Sequence, residues 1–218
     1  AAGDAITLAM VLEPPNLDPT AGAAAAIDEV VYANLFEGLT RIGPDGSVRP
    51  ALAESWDVTD DGKTYTFHLR PGVTFHDGAA FDAQDVIFSL DRARAPDSTN
   101  AQKGLFEGID KIEAIDPQTV RVTLKSPDGA FPFKMAWGDA VMLDQASVKD
   151  IATHPVGTGP FKFGEWQQGN HITLTAWDGY WGEKPALKSA TFRFISDPTA
   201  AFAAIMAGDI DAFPLFPA

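Results

Sequence analysis

The sequence predicts a mixed α/β protein, in which an α/β unit made from both ends of the chain holds an inserted α+β unit. Strand and helix patterns alternate near the two ends, whereas the middle carries hairpin patterns and one long helical pattern. We therefore assign residues 1–39 and 155–218 to the outer unit, and residues 40–154 to the inserted unit. With 218 residues and 45% apolar content, the chain can bury a core without disulfides or metal ions.

The outer unit begins with a largely apolar strand over residues 6–11, which ends in a proline-rich stretch over residues 13–19. Apolar residues at helical spacing then predict a helix over residues 27–39. Asp28 lies in the first turn of this helix, where the helix dipole favours a negative charge. Gly38 marks its expected end.

Two hairpins are predicted in the inserted unit, over residues 53–70 and 109–124, because alternating apolar residues flank turn sequences. Asp82 is predicted to cap a helix between them, with Asp85 at the third helical position. Residues 127–155 follow no regular pattern and carry aromatic clusters. Such a segment is typical of a pocket wall or a packed loop.

The last part of the chain returns to the outer unit after the turn sequence of residues 157–160. A third hairpin is predicted over residues 161–177 and a strand over residues 190–195. A helix capped by Asp197 is predicted to run to Gly208, and a new strand to begin over residues 210–213.

The charge balance and the missing cysteines exclude several classes of function. Sixteen Lys and Arg against 30 Asp and Glu give a net charge of −14, so nucleic acid is not expected as a partner. The absence of cysteine excludes thiolate metal sites and thiol nucleophiles. No apolar run approaches the roughly 20 residues of a membrane-spanning helix. The small, polar start at residues 1–4 resembles the stub left by signal peptidase, which favours an exported protein.

No catalytic or metal-binding motif is found. Asp57, Thr59 and Asp61 have the spacing of a calcium loop, but His68 stands where that loop needs glutamate, and a hairpin turn explains these residues. None of the four histidines has a metal-binding spacing to another. A carboxylate pair of the glycosidase type stays open, although nothing distinguishes two of the 30 acidic residues. We predict no catalytic residue, no resident metal and no cofactor.

Several short motifs occur in order along nearly the whole chain. They are Leu35-Phe36-Glu37-Gly38-Leu39, Pro50-Ala51-Leu52-Ala53-Glu54-Ser55-Trp56, the run from Asp61 to Gly78, Asp85-Val86, Gly157-Thr158-Gly159-Pro160-Phe161, Tyr180-Trp181-Gly182 and Ala207-Gly208-Asp209-Ile210-Asp211-Ala212. One such motif carries little weight, but the ordered set is highly specific. In this set the chain resembles the family 5 (dipeptide and oligopeptide) solute-binding proteins of bacterial ABC importers.

The resemblance implies the first lobe of a periplasmic-binding-protein type II fold with an inserted α+β subdomain. Because family members are much longer, their second lobe is expected to lie outside this chain. The implied protein is a monomer without enzymatic activity, exported to the periplasm with its signal peptide removed. It would close as a clamshell on a small-molecule or peptide ligand and deliver it to the transmembrane subunits of an ABC permease. A sensor or chaperone with the same fold, and a secreted carboxylate-dependent glycosidase, are the alternatives.

The resemblance also implies which residues face the ligand cleft. They are Thr20, Ala21 and Gly22 after the first strand, and Trp137, Gly138 and Asp139 in the irregular segment. The small residues would let the backbone approach a ligand, Trp137 would stack on it, and Asp139 would pair with a cationic group. Residues that grip peptide termini lie mostly in the second lobe of family members, so this chain alone is expected to bind weakly.

Overall fold

The computed structural model describes residues 3–213, which contain ten strands and four α-helices. The strands are β1 (Ala5–Met10), β2 (Thr40–Ile42), β3 (Val48–Pro50), β4 (Ala53–Val58), β5 (Thr64–Leu69), β6 (Ile109–Asp116), β7 (Thr119–Leu124), β8 (Phe161–Gln167), β9 (His171–Ala176) and β10 (Ser189–Phe194). The helices are α1 (Ala25–Val31), α2 (Ala83–Arg94), α3 (Phe131–Lys134) and α4 (Pro198–Ala207). No helix in this range is both long and apolar enough to cross a membrane.

The strands form two four-stranded sheets and one short hairpin. The two ends of the chain build a sheet of order β1-β10-β9-β8, in which β1 runs parallel to β10 and the other pairs are antiparallel. The middle of the chain builds an antiparallel sheet of order β4-β5-β7-β6. β2 and β3 pair only with each other. Mixed α/β architecture is therefore confirmed.

Each large sheet covers its own hydrophobic core. Alternate residues of β5 are buried against α2 and its neighbours, as the period of two predicts. The second core lies between α1 and the sheet that contains β9 and β10. Three residues that we assigned to the inserted unit pack into this second core: Val141, Leu143 and Ile151. The division of the chain after residues 39 and 154 stays a prediction.

The helix predicted over residues 27–39 is wrong in its second half. α1 ends at Val31, and Ala33 adopts a left-handed φ of 58°, which turns the chain back so that Tyr32 pairs with Phe36. The turn leaves the Leu35 carbonyl free to accept a hydrogen bond from the amide of Gly159. A tertiary contact thus overrides helical periodicity at this position.

The helix α2 begins as predicted. The amide of Gln84 donates to the Asp82 side chain at 2.8 Å, and the amide of Asp82 donates to Asp85 Oδ2 at 3.0 Å. This reciprocal capping box satisfies backbone donors that a helix start leaves free.

The end of the described chain differs from the prediction. α4 has the expected Asp197 cap and ends at Gly208, whose φ is 78°. The strand predicted over residues 210–213 is reduced to one parallel bridge between Ala212 and Leu8. The short β2–β3 hairpin and the four-residue α3 were not predicted, because neither is long enough to show a period in sequence.

Candidate functional site

A cleft of about 230 Å³ lies where three distant segments and one helix meet; we call it the Trp137 cleft. Its walls come from the loop before α1, from the loop after α2, from the segment around Trp137 and from α1 itself. The lining residues are Pro19, Gly22, Ala23, Ala24, Ala25, Ile27, Asp28, Ala101, Gln102, Trp137, Gly138 and Asp139. The fold therefore joins residues that are more than a hundred positions apart in sequence.

Asn100 connects two walls of the cleft. Its buried side-chain amide donates to the Asp139 carbonyl at 3.0 Å. Gly22 pairs with the same loop, because its amide donates to the Thr99 carbonyl at 3.2 Å. Gly22 has a φ of 90°, a conformation that a residue with a Cβ rarely adopts.

The fourth wall is α1, which packs closely against residues 136–139. The Tyr32 hydroxyl donates to the Ala136 carbonyl at 2.6 Å. A Cβ on Gly138 would lie 2.8 Å from Asp28 Oδ1, so a larger residue there would have to displace this carboxylate. The close approach sets the Asp28 side chain beside Asp139 at the edge of the cleft.

Two carboxyl groups make the cleft electronegative. Burial and the charge of Asp28 raise the pKa of Asp139 to about 6, and burial also raises the pKa of Asp28. Neither carboxylate takes part in an ion pair within residues 3–213. A cationic group of a ligand would therefore relieve the repulsion between them.

Trp137, which lines the cleft, forms an exposed aromatic pair with Phe133. Trp137 is 39% exposed and Phe133 is 44% exposed, and their ring centroids are 6.4 Å apart in an edge-to-face arrangement. Large aromatic rings left in solvent are available for stacking on a planar or apolar part of a ligand.

Four of the six predicted ligand contacts line the Trp137 cleft: Gly22, Trp137, Gly138 and Asp139. Thr20 does not. Its hydroxyl donates to Asp18 Oδ1 at 2.6 Å and accepts from Arg92 at 2.5 Å, and it lines a separate depression. Ala21 lines neither cavity. Ligand contact by any of the six residues stays a prediction.

Sequence reasoning missed Asp28, Asn100 and Gln102. Asp28 already had an explanation in the dipole of its helix. Asn100 and Gln102 lie in a polar loop with no recognisable pattern. No signal in the sequence connects these residues with Trp137, because only the folded chain brings them together.

The side chains with calcium-loop spacing form contacts within the β4–β5 hairpin. His68 Nε2 lies 2.7 Å from Asp57 Oδ2, and the Thr59 hydroxyl donates to Asp61 Oδ1 at 2.6 Å. Within the described part of the chain, no three His, Asp or Glu side chains are grouped in a way that could hold a metal ion.

Comparison with known proteins gives a family match over residues 47–218, to the bacterial extracellular solute-binding proteins, family 5 middle region. The glutathione-binding protein GsiB of Pectobacterium atrosepticum is 39% identical over 206 residues, which are 92% of this chain and 40% of that protein. The chain thus spans about 40% of the length of the curated relatives it matches.

Solved structures show the same fold. NikZ from Campylobacter jejuni, in complex with Ni(L-His), superposes with a TM-score of 0.87 at 30% identity, covering 96% of this chain and 43% of NikZ. The ABC transporter-associated periplasmic binding protein DppA from Helicobacter pylori, in complex with the peptide STSA, gives 0.87 at 30% identity, with coverages of 95% and 46%. The predicted periplasmic-binding-protein fold is confirmed, and the chain belongs to family 5 of the bacterial extracellular solute-binding proteins.

Proposed function

We propose that the protein is the extracytoplasmic solute-binding subunit of an ABC importer, and that this chain supplies one wall of its ligand cleft. Membership of family 5 supports the general role. The location of the ligand site is inferred from the Trp137 cleft, which combines an exposed indole, a loop that contains Gly22 and two carboxyl groups. Neither carboxyl group has an ion-pair partner among residues 3–213. Small-molecule sites combine apolar surface with a few polar groups in this manner.

The ligand we propose is a peptide or another small polar solute that carries a cationic group. The carboxyl groups of Asp28 and Asp139 would accept hydrogen bonds from that group, and Trp137 would cover the adjoining part of the ligand. The relatives named above bind glutathione, a peptide and a nickel–histidine complex. These ligands share small size and polar groups, which fits this choice of ligand class.

Capture would follow hinge closure of a second lobe onto this wall. The closed, monomeric protein would then be recognised in the periplasm by the transmembrane subunits of the permease. In this scheme residues 1–39 and 155–218 form the lobe core, and residues 40–154 form an appended subdomain.

The first test is the intact mass of the natural protein exported by its host, followed by titration calorimetry with a panel of peptides. We expect a mass well above that of residues 1–218, together with saturable binding and no product. Trp137→Ala should weaken binding, whereas Phe202→Ala, which removes an exposed aromatic ring on α4, should not. Conversion of a ligand into products, or equal affinity in the Trp137→Ala variant and the parent protein, would contradict the proposal.

A further inference from the structure

The exposed side chain of Gln102 lines the Trp137 cleft from the loop that follows α2. Among residues 3–213, no group forms a hydrogen bond with its side-chain amide. The carboxyl groups of Asp28 and Asp139 in the same cleft only accept hydrogen bonds when they are ionised. Gln102 therefore adds a neutral NH2 donor to a cleft whose charged groups are acceptors.

The backbone of Gln102 is held at both of its hydrogen-bonding groups. Its amide donates to Asn100 Oδ1 at 2.9 Å, and its carbonyl accepts from the Leu105 amide at 2.9 Å. The second bond begins a short 3-10 helix over Lys103–Leu105. Because both main-chain groups are engaged, the side chain starts from a fixed point, and a ligand that contacts it needs to order only the side chain.

Asn100 connects this loop to the wall that carries Asp139. It is 6% exposed, and its Nδ2 donates to the Asp139 carbonyl at 3.0 Å while its Oδ1 accepts from the Gln102 amide. The loop is also attached to the wall before α1, where the Gly22 amide donates to the Thr99 carbonyl at 3.2 Å. One buried side chain thus fixes the backbone of Gln102 relative to that of Asp139.

These groups select the chemistry that adjoins the cationic group of a ligand. An ammonium group has donors for the two carboxyl groups but no acceptor for the Gln102 amide. The acceptor must therefore come from neighbouring atoms of the ligand. A carboxylate is disfavoured there, because the carboxyl groups of the cleft repel a further negative charge. A neutral amide carbonyl accepts the same hydrogen bond without this repulsion.

We propose that Gln102 is a specificity-determining contact, which donates a hydrogen bond from Nε2 to an amide carbonyl next to the ligand's cationic group, and that Asn100 is its positioning residue. The inference rests on the proposed function, in which the Trp137 cleft contacts the ligand. It narrows the ligand class to peptides, in which only the first Cα separates the ammonium group from the first carbonyl. A diamine carries the cations but lacks the carbonyl.

The test combines two ligands with the natural protein and its variants in titration calorimetry. The ligands are the tightest-binding member of a tripeptide library and its thioamide analogue, in which sulfur, a weaker acceptor, replaces the first carbonyl oxygen. Gln102→Met removes the amide and keeps a side chain of similar length. We expect the parent to bind the thioamide about fivefold more weakly than the tripeptide, and Gln102→Met to bind the two within about twofold of each other. Gln168→Met, at an exposed position between β8 and β9, is the matched control and should keep the fivefold difference.

A second pair of variants separates positioning by Asn100 from a purely structural role. Asn100→Ala removes both hydrogen bonds of its side chain and should reduce the difference between the two ligands to about twofold or less. Asn34→Ala removes a hydrogen bond to the Val30 carbonyl away from the cleft and should keep the fivefold difference, although its melting temperature falls. An unchanged difference in Asn100→Ala would refute the positioning role. If Asn100→Ala fails to fold, Gln102→Met still decides the role of the contact.

The outcomes distinguish this inference from the proposed function. An equal difference between the two ligands in the parent and in Gln102→Met would overturn the inference, as would the absence of a difference in the parent. If Trp137→Ala weakens tripeptide binding while Gln102→Met keeps the full difference, the proposed function stands and the inference fails. If no tripeptide of the library binds saturably, both the inference and the choice of a peptide as ligand are wrong.

Discussion

The amide of Gly159 donates a hydrogen bond to the carbonyl of Leu35 at 2.9 Å. The two backbones approach so closely that a Cβ on Gly159 would lie 2.3 Å from the Asn34 carbonyl oxygen. A Cβ on Gly157 would lie even closer to the Leu35 carbonyl. Gly157 and Gly159 are therefore required by contact with the turn after α1, and their role is to let the two segments pack.

Replacement of Gly159 should destabilise the fold without changing ligand preference. Both Gly159→Ala and Gly159→Val force the backbone segments apart, and we expect a loss of about 3 kcal/mol or more in the free energy of unfolding. Gly104→Ala is the matched control, because a Cβ there meets nothing within 4 Å. Urea denaturation measures both variants. Unchanged stability with altered ligand selectivity would show that the glycine serves the binding site instead.

The partly buried carboxylate of Glu37 accepts hydrogen bonds from three donors that are distant in sequence. Oε1 accepts from the Thr158 hydroxyl at 2.8 Å and from Trp181 Nε1 at 2.9 Å, and Oε2 accepts from the Tyr180 hydroxyl at 2.8 Å. Burial outweighs these hydrogen bonds and raises the pKa of Glu37. The Arg70 guanidinium lies 4.3 Å from the centroid of the Trp181 ring and completes the cluster.

Glu37→Gln should lower the free energy of unfolding by about 1–3 kcal/mol, because its amide NH2 replaces an acceptor with a donor. Glu54→Gln, at an exposed position of β4, should change stability by less than about 0.5 kcal/mol. Chemical denaturation at neutral pH gives both values. Equal stabilities of the two variants would indicate that the three donors find other acceptors.

His76 should stay neutral at pH values where an ordinary histidine is protonated. Its Nε2 bonds to Gly159 O at 2.9 Å and its Nδ1 accepts from the Gly157 amide at 3.2 Å, so the ring is held in one neutral tautomer. Burial lowers the pKa of His76 to about 4. Since the unfolded chain binds this proton near pH 6.5, stability from this group is complete above about pH 6.5 and falls toward pH 4. An NMR titration of the imidazole measures the pKa directly, and a midpoint near 6.5 would refute the prediction.

The elements that sequence predicts well are those whose local signals agree with the fold. Asp82 caps α2 and Gly208 ends α4 because capping chemistry acts within one turn and is visible in any sequence window. The helix over residues 27–39 fails for the opposite reason. Its apolar spacing continues to Leu39, but the Leu35 carbonyl accepts a hydrogen bond from the amide of Gly159. That contact joins residues more than a hundred positions apart, so no short window of sequence shows it.

The candidate site was predictable only in part, and only through family resemblance. Gly22 and Trp137 were named from segments that match the family, and the fold brings them together. Thr20 was named with them but turns away, because Asp18 and Arg92 engage its hydroxyl. Asp28 could not be found in this way, since its proximity to Asp139 depends on how α1 packs against Gly138.

The proximity of Asp28 and Asp139 leads to a prediction about ligand binding. Because the pKa of Asp139 is raised to about 6, this carboxyl group is partly protonated under mildly acidic conditions. A cationic ligand must then displace that proton. Affinity for a peptide with a free ammonium group should therefore rise between about pH 5 and pH 7. Asp139→Asn should lower this affinity about tenfold or more at neutral pH and flatten the pH dependence.

The Asp139→Asn variant can also be tested with a control peptide that lacks the cationic group. An N-acetylated peptide has no ammonium group, so Asp139→Asn should leave its affinity nearly unchanged. Asp110→Asn, which alters an exposed carboxylate on β6, should not change the affinity for either peptide.

Titration calorimetry in two buffers of different ionisation enthalpy counts the protons released on binding. Release of a proton with the free peptide and none with the acetylated peptide is the expected result, because only a cation competes with the proton for the carboxyl pair. Equal weakening of both peptides would mean that Asp139 supports the wall of the cleft without contacting the cationic group.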